Sequence, residues 1–168
     1  MSLSMESRCI HLEKDDKSER YGAISFPIYQ TATFAHPGLG QSTGYDYSRV
    51  QNPTREHLEK TVAALESGFD AIAFSTGMAG LLTIMELFAA GDHLIVDSDL
   101  YGGSTRLFST ISEKHGIEFD YINCSKDDIE RYIRPNTKAI FIETPTNPMM
   151  NVTDIRKAAD IAHAHNAT

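Results

Sequence analysis

Four short segments hold residues whose types and spacing suit ligand chemistry. The first is Ser75-Thr76-Gly77-Met78-Ala79-Gly80. Glycine at 77 lets a ligand approach the backbone closely, and the free amides of a helix start favour an anion. An ordinary tight turn accounts for this run equally well. The second is Asp99-Leu100-Tyr101-Gly102-Gly103-Ser104, where an aromatic ring precedes two glycines. Such a turn presents a ring to a flat ligand, and a tyrosine packed on a sheet edge is the plainer reading. The third is Glu143-Thr144-Pro145-Thr146-Asn147-Pro148. Its prolines stiffen the loop and aim Asn147, whose amide can hydrogen-bond a ligand oxygen. A rigid turn, with Glu143 merely closing a strand, is the alternative. The fourth is Tyr45-Asp46-Tyr47-Ser48-Arg49, followed by Asn52-Pro53-Thr54. Arg49 carries a fork of donors suited to a phosphate, and Tyr47 adds a hydroxyl on the same side of an extended segment. A surface arginine in a loop is the bland reading.

These segments need elements to position them. Before residue 54 the periodicity is poor, with glycines and prolines among Tyr21, Phe26, Tyr29, Phe34, Tyr45 and Tyr47. Few such stretches build a core, and aromatics this dense are seldom left in water. Residues 1–53 therefore read as an extended arm lying on another surface, and 54–168 as a packed domain. Leu58, Val62 and Leu65 recur at helical spacing, with Gly68 as the stop. Asp70 to Ser75 reads as a short strand. Gly77 to Ala90 reads as a helix apolar on most sides, packed nearly all round and stopped by Gly91. Strands are expected over 93–97, 117–122 and 138–143, and a helix over 104–114. Ser125 with Asp128 marks a further helix start, and Thr153 caps a last helix that buries Ile155, Ala158, Ala159 and Ala162. Alternating strands and helices specify an α/β fold, a mostly parallel sheet covered on both faces. Ligands bind such sheets outside the carboxyl ends of the strands, where the first three segments stand. Another strand is expected after residue 168, so the chain reads as cut within a domain.

Composition narrows the function. The net charge of −8 argues against a general role on nucleic acid or an anionic membrane, both of which need a basic surface. Cys9 and Cys124 form no C-x-x-C pattern, so no metal is expected from them. His163 and His165 do not share a helical face, which disfavours a metal there too. No apolar run approaches a membrane span and no signal-peptide stretch opens the chain, so a cytoplasmic location is expected. Met1-Ser2-Leu3-Ser4, ahead of Met5, reads as a vector-derived leader. Glu13, Asp15, Asp16 and Glu19 with Lys14 and Lys17 read as a solvated stretch.

In order and spacing, Tyr21-Gly22-Ala23, Pro27-Ile28-Tyr29-Gln30-Thr31-Ala32-Thr33-Phe34, Tyr47-Ser48-Arg49, Asn52-Pro53-Thr54, Thr76-Gly77-Met78, Tyr101-Gly102-Gly103 and Pro145-Thr146-Asn147-Pro148 resemble one family. It is the cysteine and methionine metabolism family of pyridoxal 5′-phosphate enzymes, which includes the cystathionine synthases and lyases and methionine γ-lyase. The resemblance implies a three-layer αβα large domain of the PLP-dependent transferase type (aspartate aminotransferase-like, fold type I), here truncated. It implies that the Gly77 and Met78 amides hold the cofactor phosphate, and that Tyr47 and Arg49 reach that phosphate from a neighbouring subunit. Tyr101 would stack on the pyridine ring and help move protons, as the catalytic residue present, and Asn147 would bond the ring oxygen. It further implies a sulfur amino-acid substrate and a homo-oligomer, a dimer of dimers. The aspartate that pairs with the ring nitrogen and the Schiff-base lysine are expected beyond Thr168, and none of the lysines from Lys14 to Lys157 sits in the family's lysine motif. These 168 residues alone should therefore be inactive. Cystathionine γ-synthase-like γ-replacement or elimination is favoured, since methionine γ-lyases place a cysteine at the position of Gly103. The β- and γ-lyases and methionine γ-lyase are the alternatives. A non-catalytic assembly module is the reading from another class. An unrelated nucleotide-binding domain is disfavoured because no G-x-G-x-x-G or phosphate-loop lysine follows any strand.

Overall fold

The computed structural model describes residues 3–11 and 21–168. The acidic and basic cluster at 13–19 lies outside them. The chain divides into two compact units, Met1–Phe74 and Ser75–Thr168.

In the first unit, helix α1 (Met5–Arg8) is capped by Ser4, and Arg8 donates to the Ala64 carbonyl (3.2 Å). Helix α2 (Pro53–Glu66) starts on a side-chain cap, with Asn52 Oδ1 accepting from the Thr54 amide and proline at the first helical position. It ends at Ser67, which takes the left-handed conformation (φ 56°), and the Gly68 amide closes onto Ala63 O (2.8 Å). The segment before α2 has local order. Phe34 N donates to Asp46 O and Ser48 N to Ala32 O, an antiparallel bridge around Thr33 and Tyr47. Phe26 stacks on His57 with centroids 4.0 Å apart.

The second unit is built on a parallel sheet ordered β2-β1-β3, from β1 (His93–Asp97), β2 (Glu118–Ile122) and β3 (Thr137–Phe141). Helices α3 (Gly77–Met85) and α4 (Gly102–His115) cover one face, where Leu81, Met85, Leu94, Val96, Phe108 and Ile111 form a core. Phe108 is fully buried between Phe119 (5.0 Å, stacked) and Phe141 (5.3 Å, edge-on). Helix α5 (Ile155–Ala164) and a single 3-10 turn (Ile129–Tyr132) cover the other face, around Ile95, Ile122, Cys124 and Ala158. The alternation of Leu94 and Val96 with Ile95 makes β1 buried on both sides, as a central parallel strand requires. This is the αβα layering expected from the sequence. Thr168 makes the two hydrogen bonds of a parallel rung on the outer edge of β3, its amide to Lys138 O (2.9 Å) and its carbonyl from Ile140 N (2.8 Å).

Four expectations need correction. Residues 70–74 form no strand: the Ala73 amide goes to Glu59 Oε1 (2.9 Å) and the Ala71 amide to Asp70 Oδ1 (2.8 Å), so side chains of the first unit replace a ladder. Helix α3 stops at Met85, because i to i+3 bonds tighten residues 86–88 and Asp92 takes the Ala89 amide (2.8 Å). Its outer residues Leu82, Ile84 and Leu87 stay exposed. Ser125 caps no α-helix, since Asn123 Oδ1 captures both its amide (3.2 Å) and its hydroxyl (2.7 Å), and only the 3-10 turn follows. The cap of α5 is Asp154, accepting from Lys157 N (3.0 Å), and Ile155 is exposed at its start while Ala158 and Ala162 are buried.

Candidate functional site

Adjacent strands β1 and β3 send their following segments to opposite faces. After β1 the chain turns to α4, and after β3 it turns to α5. Two loops that part in this way leave a crevice at the carboxyl end of the sheet, the position where open α/β sheets bind ligands. Residues 98–101 form one wall and 142–151 the other.

Tyr101 is the N-cap of α4, with an exposed ring (50%) and no side-chain cap of its own. Its ring lies back over Gly103. A Cβ built at Gly103 would fall 2.3 Å from Tyr101 Cε1 and 3.1 Å from Met78 Sδ. Glycine here permits the close approach, and the same contact brings Met78 and Tyr101 together. The Gly77 and Met78 amides precede the first intrahelical bond of α3, from Gly80 N to Thr76 O (3.2 Å), and Thr76 Oγ1 takes the Ala79 amide (3.0 Å). A Cβ at Gly77 would meet nothing within 4 Å, so the space beside the first residue of the helix is open. The two amides form a donor pair at the positive end of a helix, a fit for a phosphate.

Asn147 is exposed on the other wall. Its backbone amide donates to Glu143 Oε1 (3.1 Å), and the Tyr101 amide donates to Glu143 Oε2 (3.1 Å). One carboxylate thus holds both walls. From the first wall, Asp99 Oδ2 accepts from the Thr146 hydroxyl, the Met149 amide (3.1 Å) and the Asn151 side-chain amide (3.3 Å). Thr146 is fully buried, and its hydroxyl also accepts from Asn151 N (2.9 Å). Residue type and order alone give Glu143 and Asp99 no role in the site. The only signal was an acidic residue at the end of each of two strands, and nothing in a linear chain pairs positions so far apart.

Beneath the crevice, Asp97 ends β1 almost wholly buried. Its Oδ1 accepts from the Asp99 amide (3.2 Å), and Oδ2 has no partner among the described residues. Burial pushes its carboxyl above the usual range, and the charges of Asp99 and Glu143 push the same way. Burial likewise pushes the Cys124 thiol up to about 12, with help from Asp97 and Asp127, so Cys124 stays protonated filler. Among the described residues no group of three His, Cys, Asp or Glu is placed to hold a metal ion.

Tyr47 and Arg49 lie in the first unit, where the Arg49 guanidinium sits over the Tyr47 ring at 5.0 Å. The two are together, through a turn rather than an extended strand, with Val50 N and Gln51 N both donating to Tyr47 O. Asn52 and Thr54 serve the local fold: Asn52 Nδ2 donates to Tyr29 O (3.1 Å) and Tyr29 N donates to Thr54 Oγ1 (2.9 Å).

The chain matches the model of the family described as Cys/Met metabolism PLP-dependent enzyme over residues 6–168. It is 50% identical over 145 residues to a cystathionine gamma-lyase of Bacillus subtilis, covering 86% of this chain and 38% of the relative. It is 51% identical over 166 residues to a cystathionine gamma-synthase/O-acetylhomoserine (thiol)-lyase of the same bacterium, covering 98% and 44%. A crystal structure of cystathionine gamma-lyase from Lactobacillus plantarum, complexed with L-serine, aligns with a TM-score of 0.84 at 41% identity, covering 98% of this chain and 43% of that one. The chain spans less than half the length of these relatives.

Proposed function

We propose a function from one premise, that this chain belongs to the Cys/Met metabolism family of pyridoxal-phosphate-dependent enzymes. Its crevice supplies one part of the cofactor site of an enzyme that makes or breaks the carbon–sulfur bond of sulfur amino acids, γ-synthase-like, with the lyases as the alternative. The observation that carries this reading is the meeting of helix-start amides with an exposed tyrosine ring that rests on Gly103 beside Met78.

Pyridoxal phosphate, when bound, supplies a ring that withdraws electrons from a substrate carbon. This chain's residues do the holding. The amides of Gly77 and Met78 bond phosphate oxygens. The arm of residues 1–53 lends Tyr47 and Arg49 to the same phosphate in a neighbouring subunit of a dimer of dimers. Tyr101 packs its ring on the cofactor face and holds or moves a proton at its phenol oxygen. Asn147 donates its side-chain amide to the ring oxygen. The setting is cytoplasmic; no helix among the described residues is long and apolar enough to cross a membrane.

Titration of the chain with pyridoxal 5′-phosphate, followed by absorbance and equilibrium dialysis, tests the reading. Saturable binding that inorganic phosphate competes away is expected, and Arg49→Ala should weaken it about tenfold, the worth of one charge-assisted hydrogen bond. No 2-keto acid should appear from cystathionine, because these 168 residues carry no lysine in the family's cofactor motif. Binding indifferent to both phosphate and Arg49 would sink the reading.

A further inference from the structure

We propose that Glu143 is a positioning residue whose carboxylate sets the spacing between Tyr101 and Asn147, the two side chains that face the ring of the bound cofactor. The inference rests on the cofactor reading above and goes beyond it, since Glu143 contacts the site only through two backbone amides.

The geometry is specific. Glu143 leaves β3 and turns its two oxygens to different walls of the crevice, Oε2 to the Tyr101 amide and Oε1 to the Asn147 amide, each at 3.1 Å. Both groups are donors, so both oxygens must be acceptors, which an ionised carboxylate provides and no other side chain of this shape does. Tyr101 occupies the N-cap of α4, a place that normally carries Ser, Thr, Asp or Asn, and has no side-chain cap. Glu143 accepts instead from the amide of the N-cap residue itself, the bond that an N3 carboxylate makes in a capping box, and places a negative charge at the positive end of that helix.

The second tie makes the clamp reciprocal. Asp99, on the Tyr101 wall, accepts from Thr146, Met149 and Asn151 on the Asn147 wall. Each wall thus sends one carboxylate to the other's donors. With Asp99 holding the distal half of the 142–151 loop, Glu143 governs the part next to the ring. A shift of a fraction of an ångström in either amide moves Tyr101 relative to Asn147, and a ring held between them tolerates little of that.

Glu143→Gln turns one acceptor into a donor facing an N–H, and Glu143→Asp keeps the charge but is one methylene too short to reach both amides. Amide hydrogen exchange by NMR on the cofactor-free chain reads the clamp directly. Protection at Tyr101, Asn147 or both should fall at least tenfold in E143Q and at one of them in E143D, while the ladder amides of Leu94, Val96 and Ile140 keep theirs. Pyridoxal 5′-phosphate titration of the same proteins should then show about tenfold weaker binding and a shifted cofactor band in the visible circular dichroism. Unchanged protection at both amides overturns the clamp. Lost protection with unchanged affinity and spectrum overturns its role toward the cofactor. Should E143Q not fold, as loss of ladder protection reports, E143D decides by the same criteria. If the native chain takes up no pyridoxal phosphate, the cofactor reading fails and the positioning role with it, while the exchange data still decide whether the clamp exists.

Discussion

The two ends of the sheet handle their carboxylates in opposite ways. At the amino end, Arg134 pairs with Glu118 (3.1 Å) and with both oxygens of Asp120 (2.6 Å). Fully buried His93 lies between this network and β3. Thr137 Oγ1 accepts from the Arg134 amide (2.7 Å) and is hydrogen-bonded to His93 Nδ1 (2.8 Å), and His93 Nε2 faces Asp120 at 3.3 Å. The network touches all three strands and is self-contained. At the carboxyl end, no ion pair involving Asp97, Asp99 or Glu143 occurs among the described residues, and backbone or side-chain N–H and O–H groups are the donors instead. A rim whose carboxylates converge on its own arginine is occupied with itself. A rim whose carboxylates are spent on holding loops keeps its ring and helix-start amides exposed.

Removing the cation from the closed rim should have the largest effect. Arg134→Met strands Asp120 and Glu118 and should cost about 1–3 kcal/mol in urea unfolding, less than for a fully buried pair because the guanidinium is partly exposed. Changes at the open rim should instead act on binding. Gly103→Ala places a methyl where the Tyr101 ring lies, so pyridoxal-phosphate affinity should fall roughly five- to tenfold while the urea midpoint moves little. An unmoved affinity would mean that the ring does not touch the ligand.

Smaller effects come from pH, with opposite signs at the two rims. Burial, then the Arg134 charge, holds the His93 imidazole below its ordinary range. The native state therefore binds fewer protons than the unfolded one, and this stability is present above about pH 6.5 and lost as the pH falls below it. His93→Asn should flatten that decline in thermal melts between pH 7 and 5. Asp97 is the reverse case. With its carboxyl raised, the native state binds more protons, so stability falls as the pH rises through and above the ordinary aspartate range. Asp97→Asn should give a small gain at pH 7 that vanishes near pH 4, and a loss at pH 7 would show that the carboxylate is held by a partner.

Much of the scaffold was legible. The three strands, α2 and α4 lie within a few residues of where periodicity and stop signals put them, and α3 and α5 lie in the expected places with a shorter end and a shifted cap, because local burial patterns report on the neighbours each face will meet. The misplaced strand at residues 70–75 and the absent helix after Ser125 mark the limit of that rule. An apolar run becomes a strand only if another strand offers it a ladder, and a cap residue starts a helix only if no nearer acceptor claims it. The site was legible in part. Residue types at 77, 101, 147 and 49 mark candidates, while the carboxylates that tie the two loops together carry no such mark.

By itself, then, the sequence determined the family, the alternation of strands and helices, and the residues with chemistry to offer, since all of these depend on residue type and short-range order. Only the tertiary structure decided that the loops after β1 and β3 part at one crevice, that Tyr101 lies back over Gly103 against Met78, and that Glu143 joins Tyr101 to Asn147. The physical reason is that a hydrogen bond depends on distance and direction in space, and a linear order of residues specifies neither for partners that meet only once the sheet has formed.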